Sequence, residues 1–469
     1  MDKKILSFNI LFLIFFAKVY ANFHNDSLYF TIKSSSLSGS QIKIGYHYGN
    51  RTFQKGILEV DKSGKGEFVC PYQEGLFFLI FPDTTFYNFL VTEGETYSFS
   101  IDRNAGGYSV SLVSNGVSEA YSSYLKSSGK ISEQVELLKA MSDKSAHSDQ
   151  KPVIQAKLQQ MKSMQDSLTR MYIRDFKGTL LGDMLNASQP PSIPRFEPPR
   201  NGQKSDSLKW MLGIHYFHDH YLDNINWSDK WLVYTPVLEN RISTYLDKIV
   251  DQRPDSLVSA IDKILSKTSD STFKNFLFGF LLEKYEHTRY QPVSEYMFAH
   301  VANKMLDENT TLPSVENDRL RKELNRIEPA LLGNVAPEIV LPGKDQKMHS
   351  LGNVIADHTL LIFWEPGCST CDKVIKELTP VLSKYSYLDL KVFTVSTGQD
   401  IQAWRDYINK RFPKQWVNVY QTAQNKPSLE YNISLTPSMF LLDSGKKIIQ
   451  KYFTVAELEE ALFRIATKK

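Results

Sequence analysis

Cysteine is nearly absent: the 469 residues contain only Cys70, Cys368 and Cys371. Disulfide-stapled folds draw on many scattered cysteines, so packed cores must hold this chain. An excess of charge of one sign is missing too. The formal net charge is +3; Lys3, Lys4 and Lys18 against Asp2 put +2 of it in the first 21 residues, leaving 3 − 2 = +1 for the rest. That excludes a nucleic-acid footprint, and no polybasic run marks a membrane surface. Low-complexity tracts are absent, and 42% hydrophobic with 12% aromatic residues is enough apolar mass for more than one core. At about 100–200 residues per domain, two to four domains are expected.

What is present starts at the N-terminus. Lys3 and Lys4 precede an apolar run from Ile5 to Phe16, and Val19-Tyr20-Ala21 follows with small residues where a signal peptidase reads. This is the order of a secretory signal peptide over residues 1–21, cleaved after Ala21. The apolar run is too short for a bilayer span of about 20 residues, and no later stretch is long and apolar enough. No cysteine lies near the cleavage site to take a lipid. A soluble mature protein without stable membrane insertion is expected.

Residues 22–114 read as a β-sandwich. Leu28–Ile32, Gln41–Tyr46, Glu67–Val69, Leu76–Phe81 and Tyr97–Ile101 are rich in β-branched and aromatic residues, with turn signals at Pro82-Asp83 and Glu93-Gly94-Glu95. Residues 115–332 read as an all-α domain. One stripe is Val135, Leu137, Leu138 and Met141; another is Ile154, Leu158, Met161, Met164 and Leu168. A proline-rich loop near 189–199 interrupts, and helical patterns resume at 206–224, 235–250, 255–267, 271–287, 293–307 and 315–327. Ser271 and Ser314 stand where N-caps are expected. Residues 333–469 alternate strand and helix: strands at Thr359–Trp364, Leu390–Val395, Trp416–Tyr420, Ser438–Asp443 and Lys447–Tyr452, helices at about 368–385, 400–410 and 455–466.

The chemistry concentrates in Phe363-Trp364-Glu365-Pro366-Gly367-Cys368-Ser369-Thr370-Cys371. A buried strand ends at Trp364 and a helix opens at Cys368. Unpaired amides at a helix N-terminus favour a thiolate there. Cys371 lies one turn along the same face, placed to resolve a mixed disulfide formed on Cys368. Half of a zinc site is the alternative. It needs two more ligands, and only His349, His358 and the distant Cys70 are on offer. An inert buried pair is another. Leu435-Thr436-Pro437-Ser438 opens a later strand, where a proline suits either a cis turn or an ordinary trans entry.

These motifs carry a resemblance. Gly333-Asn334-Val335-Ala336-Pro337-Glu338-Ile339 is similar to the opening strand of redoxin domains. With Phe363-Trp364 before the Cys-x-x-Cys and Thr436-Pro437 before a strand, residues 333–469 resemble the exported thioredoxin-like thiol–disulfide oxidoreductases of the TlpA type. The resemblance implies an α/β thioredoxin-like fold, a redox disulfide Cys368–Cys371, a cis Thr436–Pro437 bond beside it, and Trp364 as support. Thioredoxin proper carries a buried aspartate where this chain has Ile362; Glu365 or Glu377 is the candidate replacement. Gly367 replaces a second tryptophan, and Pro380 is expected to kink the helix. Upstream, residues 25–125 look like the β-rich domain that precedes redoxin domains in Gram-negative envelope proteins, with the exit Val113-Ser114-Asn115-Gly116, Tyr121 and Tyr124-Leu125. Residues 180–330 resemble a helical domain of unknown function, most clearly at His220–Asp229 and Thr235-Pro236.

Three functions compete. The first is a thiol–disulfide oxidoreductase of the periplasm or cell envelope, with client protein disulfides as substrates and a separate redox partner recycling the pair. The second is an envelope binding or scaffold protein with an accessory thioredoxin-like domain. The third is a thiol peroxidase, against which Glu365 stands: its carboxylate occupies the place of the peroxide-orienting threonine. No cofactor and no metal are expected. His215, His218 and His220 with Asp219 and Asp223 lack an ordered metal motif and read as solvated, and Cys70 before Pro71 reads as a buried thiol. The signal peptide gives a direct test: N-terminal sequencing of envelope protein from the native host should read from Asn22, and an intact Met1 would indicate an anchor instead.

Overall fold

The structure, a computed structural model, describes residues 27–467 apart from 94–95, 105, 115, 145–150, 197–204, 287–291 and 309–313. The expected signal peptide, the Gly94-Glu95 turn, Asn115 and the prolines at 198–199 lie outside the described residues. The chain divides into two compact units, one ending at Val250 and one starting at Asp251. The division falls inside the helical stretch expected over 115–332.

The first unit opens with β1 (Ser27–Lys33), β2 (Gln41–Tyr48), β3 (Arg51–Glu59), β4 (Lys65–Pro71), β5 (Gly75–Ile80), β6 (Phe86–Val91), β7 (Tyr97–Asn104) and β8 (Gly107–Val113). They form two four-stranded sheets, β4-β1-β7-β8 and β3-β2-β5-β6. Alternation decides the inner faces: Leu28, Phe30 and Ile32 are buried while Tyr29 points out. Both sheets contribute to one core, through Phe30, Ile44, Phe77, Phe89 and Phe99. The expected sandwich is present. Helices α1 (Val117–Lys144), α2 (Lys151–Asp175), α3 (Leu180–Ser188), α4 (Ser205–His220) and α5 (Pro236–Thr244) follow, the last running on as a π-turn over Tyr245–Ile249. The two apolar stripes are only partly inward. Leu137, Met141 and Met164 are exposed, while Ile154 is buried. Gln189–Phe196 is neither helix nor strand, as its prolines require.

The second unit begins with α6 (Pro254–Leu265), α7 (Ser271–Glu286), α8 (Pro292–Asp307) and α9 (Ser314–Ile327). Ser271 is the first helical residue rather than the cap; Asp270 caps α7, its Oδ1 accepting the Phe273 N–H at 2.9 Å. The α/β part comprises β9 (Val340–Pro342), β10 (Met348–Ser350), β11 (His358–Trp364), α10 (Ser369–Lys384), β12 (Leu390–Ser396), α11 (Ile401–Arg411), β13 (Val417–Tyr420), α12 (Pro427–Glu430), β14 (Ser438–Asp443), β15 (Ile448–Lys451) and α13 (Val455–Thr467). The opening strand expected over 333–339 is displaced to β9. Residues 333–336 instead lie along the β15 edge, bridging at Val335 and Lys447, and Gly343 bridges to Val419 at the β13 edge. The five-stranded sheet has the order β13-β12-β11-β14-β15, parallel from β11 to β13 and antiparallel at β14 and β15. β11 is central and apolar from Leu360 to Trp364 because both faces are covered. Leu360, Ile362 and Trp364 pack on one side with α10, α11 and α13; Leu361 and Phe363 pack on the other with Ile339, Leu341 and Tyr431.

One contact joins the helices of this unit to its sheet. The Lys451 ammonium at the end of β15 is fully buried. It donates to Glu295 Oε2 from α8 and to the Ala330 carbonyl at 2.6 Å. Burial pulls the Lys451 pKa down, and the Glu295 carboxylate works against that shift. Removing one member of such a pair leaves a buried charge unpaired. Glu295→Ala should therefore lower the unfolding free energy by about 3–5 kcal/mol, and Glu295→Leu with Lys451→Met should recover most of that loss. Denaturant unfolding of the full chain reads both; a cost below about 1 kcal/mol for Glu295→Ala would assign the pair no structural weight.

Candidate active site

The site is built where β11 stops. The Trp364 carbonyl, past the last pairing with β14, accepts the Thr397 N–H at 2.8 Å, which pins the strand end to the loop after β12. The Trp364 ring is fully buried and packs against Tyr407 and Phe412, each at 4.8 Å between centroids. The chain then turns through Gly367, whose φ of 83° lies in the left-handed region. A Cβ there would meet nothing within 4 Å, so backbone conformation, not space, selects glycine at this position.

Cys368 is the N-cap of α10, and its Sγ accepts the Cys371 N–H at 3.1 Å. An unpaired helix-terminal amide is thus aimed at the sulfur, the arrangement that stabilises a thiolate. The two cysteines are joined in a disulfide, with Cα atoms 5.2 Å apart. Cys368 is half-buried and Cys371 is wholly buried. Pro380 lies within α10, which continues to Lys384.

From the other side comes the loop before β14. The Thr436–Pro437 bond is cis. The Thr436 carbonyl oxygen lies 3.6 Å from Cys368 Sγ, and its hydroxyl lies 3.9 Å from the same sulfur. The Thr436 hydroxyl also donates to Glu365 Oε1 at 3.4 Å. Trp364, Glu365, Cys368, Cys371 and Thr436 are therefore brought together, with Pro437 next in the chain.

Neither acid offered as a replacement for the missing aspartate is buried. Ile362 is buried in the same apolar cluster as Cys371. Glu365 is exposed and engaged with Thr436, and Glu377 is exposed. The half-buried carboxylate nearest in sequence is Asp372, directly after Cys371, which accepts a hydrogen bond from the Tyr407 hydroxyl. Burial, and then this carboxylate, push the Tyr407 pKa up. Nothing in the sequence pairs two residues 35 apart on different helices, so both were missed.

The remaining candidates lie elsewhere. His218 meets Asp219 at 3.3 Å, His220 meets Asp223 at 2.5 Å and stacks on Tyr216, and His349 meets Asp345 at 3.4 Å. Among the described residues no group of three His, Cys, Asp or Glu is placed to hold a metal ion. Cys70 is buried in the sandwich core, where burial pushes its thiol pKa up. No helix among the described residues is long and apolar enough to cross a membrane.

Residues 357–448 match a family described as thioredoxin-like. The C-terminal part of this chain is a thioredoxin-like domain. Residues 209–329, ahead of the thioredoxin-like domain, match a domain of unknown function. Among solved structures, the chain is similar to a thioredoxin-like protein from Bacteroides caccae (24% identity, 58% of this chain and 99% of that one, TM-score 0.43). It is also similar to the thioredoxin domain of a thiol-disulfide oxidoreductase from Bacteroides vulgatus (24%, 29% and 96%, TM-score 0.27). A third is a thiol:disulfide interchange protein from a Bacteroides species (23%, 29% and 90%, TM-score 0.27). No curated protein matches the chain. The burial difference within the thioredoxin-like domain sets an order of reactivity. After reduction, Cys368 should alkylate faster than Cys371 at every pH from 5 to 9, read by peptide mass; faster labelling of Cys371 would invert the roles.

Proposed function

We propose that this protein is an exported thiol–disulfide oxidoreductase that reduces or exchanges disulfides of client proteins in the periplasm or cell envelope of a Gram-negative bacterium. The observation that carries the reading is the single amide–sulfur contact at the start of α10, with Cys371 buried behind it and the Thr436 carbonyl beside it. The thioredoxin-like match supports it, and the signal-peptide pattern supports export.

The step runs as follows. The Cys368 thiolate attacks one sulfur of a client disulfide; that bond breaks, and the other client sulfur leaves as a thiolate that takes a proton from solvent. Cys371 then loses its proton and attacks Cys368 Sγ. The mixed disulfide breaks, the second client thiolate departs, and Cys368–Cys371 is left oxidised. Two electrons pass from the pair to the client. A separate dithiol partner restores the pair by the same exchange in reverse.

Cys371→Ser removes the resolving attack, so clients should accumulate in cells as mixed disulfides on Cys368. The full chain should reduce insulin disulfides in the presence of a dithiol and leave hydrogen peroxide unconsumed. Absence of both trapped species and insulin reduction would favour the scaffold reading; peroxide consumption would favour the peroxidase.

A further inference from the structure

The loop that carries Thr436 is held from its far end by helices outside the thioredoxin-like match. Asn432 stands between α12 and this loop, four residues before Thr436, with φ of 52°. A left-handed conformation is uncommon for residues other than glycine, and asparagine tolerates it better than most. Its amide is gripped at both ends. The Nδ2 group donates to Glu295 Oε1 of α8 at 3.3 Å, and Oδ1 accepts from the Arg326 guanidinium at the end of α9. Donor faces carboxylate and acceptor faces cation, so one orientation of the amide satisfies both partners. Glu295 is itself fixed, its other oxygen bound to the buried Lys451. Beyond Asn432 the loop is tied by the Ile433 N–H to the Ser428 carbonyl at 2.8 Å, and at its near end by the Ser438 hydroxyl to the Leu435 carbonyl at 2.7 Å. Ser438 is already in the sheet, paired with Phe363.

We propose that Asn432, Glu295 and Arg326 are positioning residues for client binding: α8 and α9 hold the 433–437 loop so that the Thr436 backbone stays beside Cys368. This rests on the oxidoreductase reading above. It gives the helical domain of unknown function, which contains both Glu295 and Arg326, a task in the reaction. Thr436 presents backbone to an incoming client segment only if its loop does not drift. The near end of the loop has the sheet to anchor it, and the far end has these three side chains. The grip acts on where the client lies, not on the sulfurs, so it should affect binding and leave the redox couple alone.

The test uses the full chain with Asn432→Gly, which keeps positive φ accessible and removes the amide, and Asn432→Asp, which tolerates the same φ and keeps the acceptor toward Arg326 but replaces the donor to Glu295 with a second carboxylate. With insulin as the probe, both variants should raise KM about 3–10-fold, the effect of one or two lost hydrogen bonds. kcat, the reduction potential of Cys368–Cys371 and the Cys368 alkylation rate should match the wild type. Amide hydrogen exchange at 433–436 should quicken about tenfold in both, with α10 unchanged. Unchanged exchange at 433–436 would overturn the grip. Faster exchange with unchanged KM would overturn its role in binding. A shifted potential with unchanged KM would make these residues tuners of the sulfurs, which also overturns the proposal. A wild type that does not reduce insulin fails the oxidoreductase reading itself, and the exchange data then still decide whether the helices hold the loop.

Discussion

An ammonium group without any contact with water is tolerable only if the protein supplies what water would have supplied. Lys451 has that requirement, and the sheet to which it belongs cannot meet it. The carboxylate comes from Glu295 on α8 and the carbonyl from Ala330, both from the segment that precedes the thioredoxin-like match. The helices and the sheet of the second unit are therefore mutually dependent. The unit boundary near residue 250 follows the packing: α6 to α9 fall in one compact unit with the sheet. A buried pair of this kind adds little net stability compared with an apolar pair, but it penalises any arrangement in which the partners are apart.

The disulfide site inherits its asymmetry from the same sheet. β11 delivers Trp364 to a fully buried position and then releases the chain into a turn, so Cys368 emerges at the helix end and Cys371 falls back into the core. The amide at the helix start favours charge on the outer sulfur. The apolar Ile362 beneath offers the inner sulfur no proton acceptor. Asp372, next in sequence to Cys371, is bound to Tyr407, whose ring packs against Trp364. The two sulfurs thus differ in exposure and in hydrogen bonding although they belong to one helical turn.

Local pattern exposed a good deal of this. The strands of the thioredoxin-like sheet and the helices from α4 onward, the four-residue α12 apart, follow from periodicity, because each has one or two buried faces and clear turn residues between. The Cys-x-x-Cys and the Thr-Pro dipeptide are contiguous in sequence, so their geometry could be anticipated from the resemblance. Strands β3, β6 and β8 were not among the runs singled out: β3 carries Gln54, Lys55 and Gly56 at its centre, β6 is broken by Asn88, and β8 alternates serine with apolar residues. The exposed side chains of α1 and α2, Leu137, Met141 and Met164, looked like core because apolar spacing alone does not say what lies opposite. The contacts that tie the unit together were beyond reach for a plainer reason. Glu295 and Lys451 are 156 residues apart, and Glu295 and Asn432 are 137 apart. No local signal encodes such a pairing.

The segment over 333–343 does more than connect. It lies against both outer strands of the five-stranded sheet, bridging to Lys447 beside β15 and to Val419 in β13, and its backbone exchanges hydrogen bonds with Ile448 and Lys446. Open strand edges are templates for uncontrolled pairing with other chains. Here one strap of the protein's own backbone occupies ladder positions on each side. With both rims bare, the sheet would offer two places where another chain could add as an extra strand. The strap fills part of each rim from within the same chain, so neither edge is left wholly bare for strand addition.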